Sequence, residues 1–167
     1  MPSGEIPNDE SFHPEAPGAR QPVGEAPPMS REETIEHTLR MMMLRGLGRF
    51  DELAKFMTED CEMYFPGLPG QSPFTGTFRG KQECLKAMKA NFTLIEFLNL
   101  RAKSVIVEGD SVVVNWICDM RNRGTGPAIP VEGMARVRLR GRMMTFYGNY
   151  LDTAAVGALA EFPPPKV

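Results

Sequence analysis

The sequence predicts an α+β fold, with helices in the first half of the chain and a sheet in the second. Three segments before residue 93 repeat apolar side chains at helical spacing, and four long segments after it alternate apolar and polar side chains. Helices followed by a meander of strands are typical of this class, in which helices pack against one face of a sheet. With 167 residues, 42% of them hydrophobic, the chain is long enough for one domain with its own core.

Three helices are predicted. The first starts at Ser30, which has with Glu33 the spacing of a capping box, and it ends before Gly46 because glycine favours the end of a helix. Asp51 caps a short second helix, and residues 80–92 form a third helix with one apolar side.

The strands are predicted from the alternation of side chains and from the turns between them. A short strand at residues 61–65 is followed by a segment rich in proline and glycine, which excludes regular structure there. The four long strands cover residues 93–107, 111–122, 129–140 and 143–152, and a short helix is expected near residues 153–160.

Composition divides the chain into three parts. Residues 1–30 hold seven of the fifteen prolines and few apolar side chains, so they are predicted to form an extended N-terminal arm. Residues 31–157 form the predicted α+β domain, and residues 158–167 a C-terminal tail.

Charge and cysteine content exclude several classes of partner. The formal net charge is −2 and the arginines are scattered, which argues against nucleic acid. No apolar stretch approaches the length of a membrane span, and no signal peptide is recognisable, so no membrane partner is expected. The three cysteines are widely spaced and form no C-x-x-C pair, which favours a reduced, cytoplasmic location and gives no metal site.

Four stretches together resemble a known family: GRFDELAKFMTEDCEMYFPG at residues 48–67, G-x-x-x-G-K at residues 76–81, EGDSVVVNW at residues 108–116 and GRMMTFYGNYLD at residues 141–152. Their order and spacing resemble the SnoaL-like polyketide cyclases of the nuclear-transport-factor-2-like superfamily, over residues 31–157. The resemblance implies a cone-shaped fold, in which N-terminal helices pack on a strongly bent, mainly antiparallel sheet. The superfamily also includes ketosteroid isomerases, limonene-epoxide-type hydrolases and non-catalytic binding domains, so the resemblance alone does not choose a function.

The catalytic residues of these relatives are replaced in this chain. Phe65 occupies the position of the ketosteroid isomerase base, and Met41 that of its oxyanion tyrosine. Trp116 and Cys118 stand where the epoxide hydrolases have an Arg-x-Asp pair, and Asn149 stands at their terminal aspartate. Without a carboxylate base, neither mechanism transfers to this sequence.

The last predicted strand supplies the first candidate site residues. Every second side chain from Met143 to Leu151 shares one face, so Tyr147, Asn149 and Leu151 are expected to line a pocket. The amide of Asn149 could orient a carbonyl or hydroxyl, or it could simply satisfy a neighbouring backbone group. The other expected substrate contacts, which could equally form a plain apolar wall, are Met41, Phe65, Trp116 and Cys118.

His37 is the candidate for proton transfer. It is the only histidine of residues 31–157, it lies one turn before Met41, and histidine ordinarily titrates near neutral pH. A surface position is the alternative. A shift of one residue in the strand at 61–65 would instead turn Glu62 and Tyr64 inward.

Two functions follow from these candidates. The first is a small lyase, isomerase or hydrolase that needs no metal or organic cofactor and encloses a mostly apolar small molecule. The alternative is a non-catalytic carrier or sensor of such a molecule. The twelve methionines suit an adaptable apolar lining, although methionine also serves as a gap-filler. A homodimer through the outer face of the sheet is expected, because the resemblance leaves that face uncovered by helices.

Overall fold

The helices of the domain are short or of moderate length, and they lie on one side of the sheet. The computed structural model describes residues 28–67, 75–123, 125–152, 155–156 and 159; the predicted arm and tail otherwise lie outside these residues. Helix α1 spans Arg31–Gly46, α2 spans Phe50–Leu53 with a following turn of 3-10 helix at Ala54–Phe56, and α3 spans Lys81–Leu94. Within the described ranges, no helix has both the length and the apolar character needed to cross a bilayer.

In the part of the chain that the structure describes, six strands form one sheet in the order β2-β1-β6-β5-β4-β3, with β1 and β6 parallel and the other neighbours antiparallel. The strands span β1 Met57–Phe65, β2 Gly76–Arg79, β3 Ile95–Glu108, β4 Ser111–Asn122, β5 Thr125–Arg140 and β6 Met143–Leu151. The predicted α+β class and the bent, mainly antiparallel sheet are confirmed. Strand β2 was not predicted, and β1 begins four residues earlier than the predicted strand.

The start of α1 follows the predicted capping box. The backbone N–H of Glu33 donates to the Ser30 hydroxyl at 3.2 Å, and the N–H of Ser30 donates to the Glu33 carboxylate at 2.8 Å. These bonds satisfy donors that a helix start otherwise leaves free. The chain leaves α1 through Gly48, whose positive φ of 71° and close approach to the Phe92 ring both require glycine.

Extra residues in the edge strand β3 contribute to the bend of the sheet. Its pairing with β4 skips residues between Leu98 and Arg101, where Asn99 adopts a positive φ of 53°. The Asn99 amide donates to the Asp119 carboxylate at 2.8 Å, which holds this irregular turn of the strand against β4. Such bulges increase the local twist and bend of a strand, and here they curl the sheet around α1.

The concave face carries the core. Alternate residues of β4, from Val112 to Met120, are at most 2% exposed, whereas those between them are half-buried. Helices α1 and α3 contribute Met41 and Met88 to the same interior. Both helices pack onto this one face, so among the described residues no helix covers the other face of the sheet.

The outer face carries exposed apolar side chains. Met134 on β5 is 50% exposed and pairs in register with Tyr150 on β6, while Ile106 on β3 is 63% exposed. We propose that two copies of the chain associate through this face, since a symmetric contact would cover these side chains.

Met134→Arg should convert such a dimer into a monomer, because it would place a pair of like charges within the contact. Met43→Arg is the matched control, since Met43 is similarly exposed but lies on α1. Light scattering at micromolar concentration measures the mass of each variant. A wild-type chain that is already monomeric at this concentration would refute the proposed dimer.

Candidate ligand-binding site

The inner face of β6 follows the predicted alternation only in its second half. Tyr147 and Asn149 are buried on the concave side, as predicted. Nearer the start, the pairing with β5 skips one residue between Met144 and Phe146. Met144 therefore points into the core, and the predicted inward position of Thr145 is wrong because a bulge reverses the faces of a strand.

Trp116 and Cys118 lie side by side on the inner face of β4, and both are buried. Trp116 is opposite Gly133 of β5, where an added Cβ would come within 2.5 Å of the indole ring and 2.7 Å of the Tyr150 carbonyl oxygen. A glycine is therefore needed for the indole to lie across β5. The indole N–H is buried and finds no acceptor among the described residues.

Strand β1 adopts the first of the two registers considered from the sequence. Phe65 is buried inside, and its ring meets that of Tyr147. Glu62 instead faces outward and accepts from Nε of Arg79 at 3.2 Å. The ring of Tyr64 lies 6.1 Å from that of Tyr150, a residue of the outer face. The alternative register, with Glu62 and Tyr64 inside, is not the one that this structure adopts.

His37 lies at the edge of the helix layer. Its Nε2 donates to the backbone carbonyl of Arg142 at 2.7 Å, and its ring packs edge-on against Phe56 at a centroid distance of 5.2 Å. Met41, one turn further along α1, is buried in the interior. His37 therefore contacts the turn between β5 and β6 rather than the walls of the cavities described next.

Two small cavities lie between α1 and the sheet, each with about 10 Å³ open to the centre of a water molecule. That is room for roughly one water each. Met42, Arg45 and Tyr147 line both cavities. The first is otherwise lined by Thr38, Met41, Leu53, Met88, Val137 and Met144, and the second by Phe97, Leu100 and Trp116.

Only part of the predicted site reaches these cavities. Met41, Trp116 and Tyr147 line a wall, whereas His37, Phe65, Cys118, Asn149 and Leu151 do not. Asn149 nevertheless lies two residues along β6 from Tyr147 on the same face. It pairs in register with Ala135, and both polar atoms of its amide are buried without a partner among the described residues.

Arg45 is the residue that the sequence reasoning missed. It lies on α1 one turn after Met41 and is only 8% exposed. Its guanidinium carbon lies 5.7 Å, 5.2 Å and 5.3 Å from the ring centroids of Phe65, Phe97 and Tyr147. Nε is buried without an acceptor, and the ion pairs of the described residues do not include Arg45.

Unpaired polar atoms are concentrated on this inner surface. A buried polar group without a hydrogen bond costs about 1–3 kcal/mol. The described side chains with such an atom on the inner surface are Thr38, Arg45, Trp116 and Asn149. The concave surface thus offers hydrogen-bond donors and one side-chain amide to a ligand bound there.

The titratable groups beside Arg45 are neutral at physiological pH. Burial raises the pKa of the Cys118 thiol to about 12, against the opposing effect of the Arg45 charge. Burial likewise raises the pKa of the Tyr147 phenol above its ordinary value. Neither group is therefore ionised as a nucleophile or base. The His, Cys, Asp and Glu side chains of the described ranges form no group that could hold a metal ion.

Comparison with known proteins identifies the family. The sequence profile of the SnoaL-like domain matches residues 40–147, which include α1 from Arg40 onward and most of the sheet. The chain belongs to the SnoaL-like domain family. No curated protein matches the sequence.

Solved structures of low sequence identity share the fold. A Bacillus subtilis protein provisionally named an isomerase superposes with a TM-score of 0.70 at 18% identity, over 83% of this chain and 100% of that one. A Jannaschia sp. CCS1 protein provisionally named a SnoaL-like polyketide cyclase superposes with a TM-score of 0.66 at 19% identity, over 83% of this chain and 100% of that one. An NTF2-like protein from Burkholderia xenovorans LB400 superposes with a TM-score of 0.65 at 20% identity, over 80% of this chain and 99% of that one.

Arg45→Met should change the free energy of unfolding of the ligand-free protein by less than about 1 kcal/mol. Three cation–π contacts of about 0.5–2 kcal/mol each would be lost, but the desolvation of a buried charge, which costs several kcal/mol, would be relieved. Leu53→Ala, at a fully buried position in the same layer, should instead cost about 2–5 kcal/mol. Urea titration measures both, and a comparable loss for Arg45→Met would show that Arg45 mainly holds the core together.

Proposed function

We propose that this SnoaL-like domain encloses a small molecule with a mostly apolar body inside its cone. The observation that carries the proposal is the set of unpaired polar atoms on an otherwise apolar concave surface. Ligand sites are typically apolar clefts with a few polar groups that fix orientation. A carbonyl or hydroxyl of the ligand would give the Trp116 N–H and the Asn149 amide the partners that they lack among the described residues.

Methionine side chains explain how such a molecule could enter a nearly filled interior. Met42 forms part of the wall of both cavities, so a change in its rotamer would alter the space in each. Met41, Met88 and Met144 line the first cavity as well, and methionine changes shape at low cost because its chain is unbranched. The cavity is therefore expected to be wider in the ligand-bound protein than it is in this structure.

Binding without turnover, as a carrier or sensor, is the function that the described walls support best. Cys118 and Tyr147 are held neutral, and the amide of Asn149 and the indole of Trp116 do not titrate in the working range. None of these groups can act as a general base. The three cysteines are free and buried, which supports the cytoplasm as the compartment we propose.

Catalysis is the second candidate, and the names of the two fold neighbours favour it. The protein would then be a lyase, isomerase or hydrolase that needs no cofactor, with Asn149 orienting the substrate and His37 moving the proton. His37 would have to exchange its bond to the Arg142 carbonyl for one to the substrate.

Asn149→Leu should abolish ligand binding while the fold is retained, because leucine keeps the volume but removes the amide. Thermal shift against a panel of flat, mostly apolar carbonyl and hydroxyl compounds identifies binders of the wild type. Gln82→Leu, the same kind of change at an exposed position of α3, should leave their binding intact. Binders that stabilise Asn149→Leu as strongly as the wild type would exclude Asn149 from the site.

His37→Gln separates the two candidates. Glutamine can still donate to the Arg142 carbonyl, so the fold should be kept, but it cannot transfer a proton. If the panel contains a substrate, turnover measured by mass spectrometry should be lost in His37→Gln and retained in Gln82→Leu. Unchanged turnover would remove His37 from the mechanism, and binding without any turnover would favour the carrier.

A further inference from the structure

We propose that Arg45 is an anion-recognition residue, and that the ligand of the cone carries a negatively charged oxygen on its apolar body. This inference rests on the proposed binding function and adds to it the charge of the ligand. Carboxylates, phenolates and stabilised enolates share the chemistry that this site would recognise.

The first argument is the burial of an unpaired cation. Arginine remains protonated under all ordinary conditions, so the guanidinium carries its charge into the core. Ten ion pairs are found among the described residues, and each uses side chains that are at least partly exposed; none involves Arg45. A buried charge is ordinarily paired, because removal from water is otherwise costly. Arg45 therefore has the properties of a group whose counterion comes from a ligand.

The second argument is the position of Arg45 relative to the cavities. It is one of three residues that line both of them, together with Met42 and Tyr147. A molecule in the second cavity would meet a partly polar wall beside Arg45, whereas the first cavity is walled by apolar atoms alone. The unsatisfied Nε provides a donor at this position.

The third argument concerns what surrounds the charge. Phe65, Phe97 and Tyr147 place aromatic rings around the guanidinium, which attract the cation but accept no strong hydrogen bond from its N–H groups. Arg45 is only 8% exposed, so an anionic oxygen would interact with it more strongly than with an arginine at the surface. A neutral carbonyl would accept a hydrogen bond but leave the charge uncompensated.

A purely structural role is the rival explanation. In that case Arg45 would only hold the three rings together, and the site would bind an apolar molecule without regard to its charge. The two explanations differ in the selectivity between an acid and its neutral amide, which have nearly the same shape.

The test uses benzoate, naphthalene-2-carboxylate and anthracene-2-carboxylate, each with its primary amide as the neutral partner. Isothermal titration calorimetry at pH 7.5, where the acids are ionised, measures binding to the full-length protein. In the wild type, at least one acid should bind about tenfold more tightly than its amide, because a charge-assisted bond replaces a neutral one. Arg45→Met should remove this preference by weakening the acid alone, and Arg45→Lys should keep part of it.

Arg40→Met is the matched control. Arg40 lies on the same helix and also contacts an aromatic ring, with its guanidinium carbon 5.4 Å from the Phe56 centroid, but it is exposed. Its removal should leave the preference for acids unchanged. A preference that is lost equally in Arg40→Met would mean that surface charge, rather than Arg45, produces it, and would overturn the inference.

The outcomes separate this inference from the proposed function. Equal affinity of the wild type for an acid and its amide would overturn the role of Arg45 while leaving the proposed binding function in place. Failure of every acid and every amide to bind would overturn both. If Arg45→Met does not fold, the side-chain Nε–H resonance of Arg45, identified by its loss in Arg45→Lys, decides the matter. It should shift on addition of an acid and not of the amide, and the absence of a shift would refute the inference.

Discussion

The bend of the six-stranded sheet is the constraint on which the rest of the structure depends. A flat sheet would leave α1 on an open surface, whereas this one curls until the inner residues of β1, β4, β5 and β6 point into a common volume. The irregular pairing of β3 near Asn99 contributes to that curvature at one edge. In the middle of the sheet, β6 pairs with both β5 and β1, so the inner surface continues from one half of the sheet to the other. The closeness of the candidate site side chains to one another follows from this bend of the sheet.

The interior combines an adaptable part with a rigid part. Methionines from α1, α3 and β6 fill the space and can rearrange, while Trp116 is fixed by its position across Gly133 and the three rings are fixed around Arg45. Such a division suits recognition of a molecule whose polar end must be placed accurately and whose apolar body needs only to be covered. It also explains why the cavities are small although the polar atoms around them are unpaired. On the proposed function, the polar side would be preorganised, and the methionines would rearrange to admit the ligand.

The sequence predicted the elements well where a local pattern determines them. The capping box of α1 and the alternation of β4 each depend on residues that are close together in the sequence. Both could therefore be recognised without knowledge of the fold. Strand β2 was missed because it follows a proline-rich and glycine-rich segment and is held by its partner β1 rather than by its own composition. The inward turn of Met144 was missed because a bulge depends on the pairing of two strands, which no single strand encodes.

The candidate site was harder to predict, for a related reason. Met41 and Trp116, taken from family positions, and Tyr147, taken from the alternation of β6, lie in the cavity walls. Their contact with a ligand stays a prediction. Arg45 was overlooked because a charged residue on a helix is ordinarily taken to face water, and only the surrounding rings make its burial visible. Its spacing of four residues from Met41 was the one signal that could have found it.

Trp116 is the single tryptophan of the chain, and it lies in the wall of the second cavity. Its emission spectrum therefore reports on one known place in the molecule, without interference from other indoles. A bound molecule would alter the polarity around this ring or absorb its emitted light. The protein thus contains its own optical probe of occupancy, which needs no added label and responds to ligands of different chemical classes.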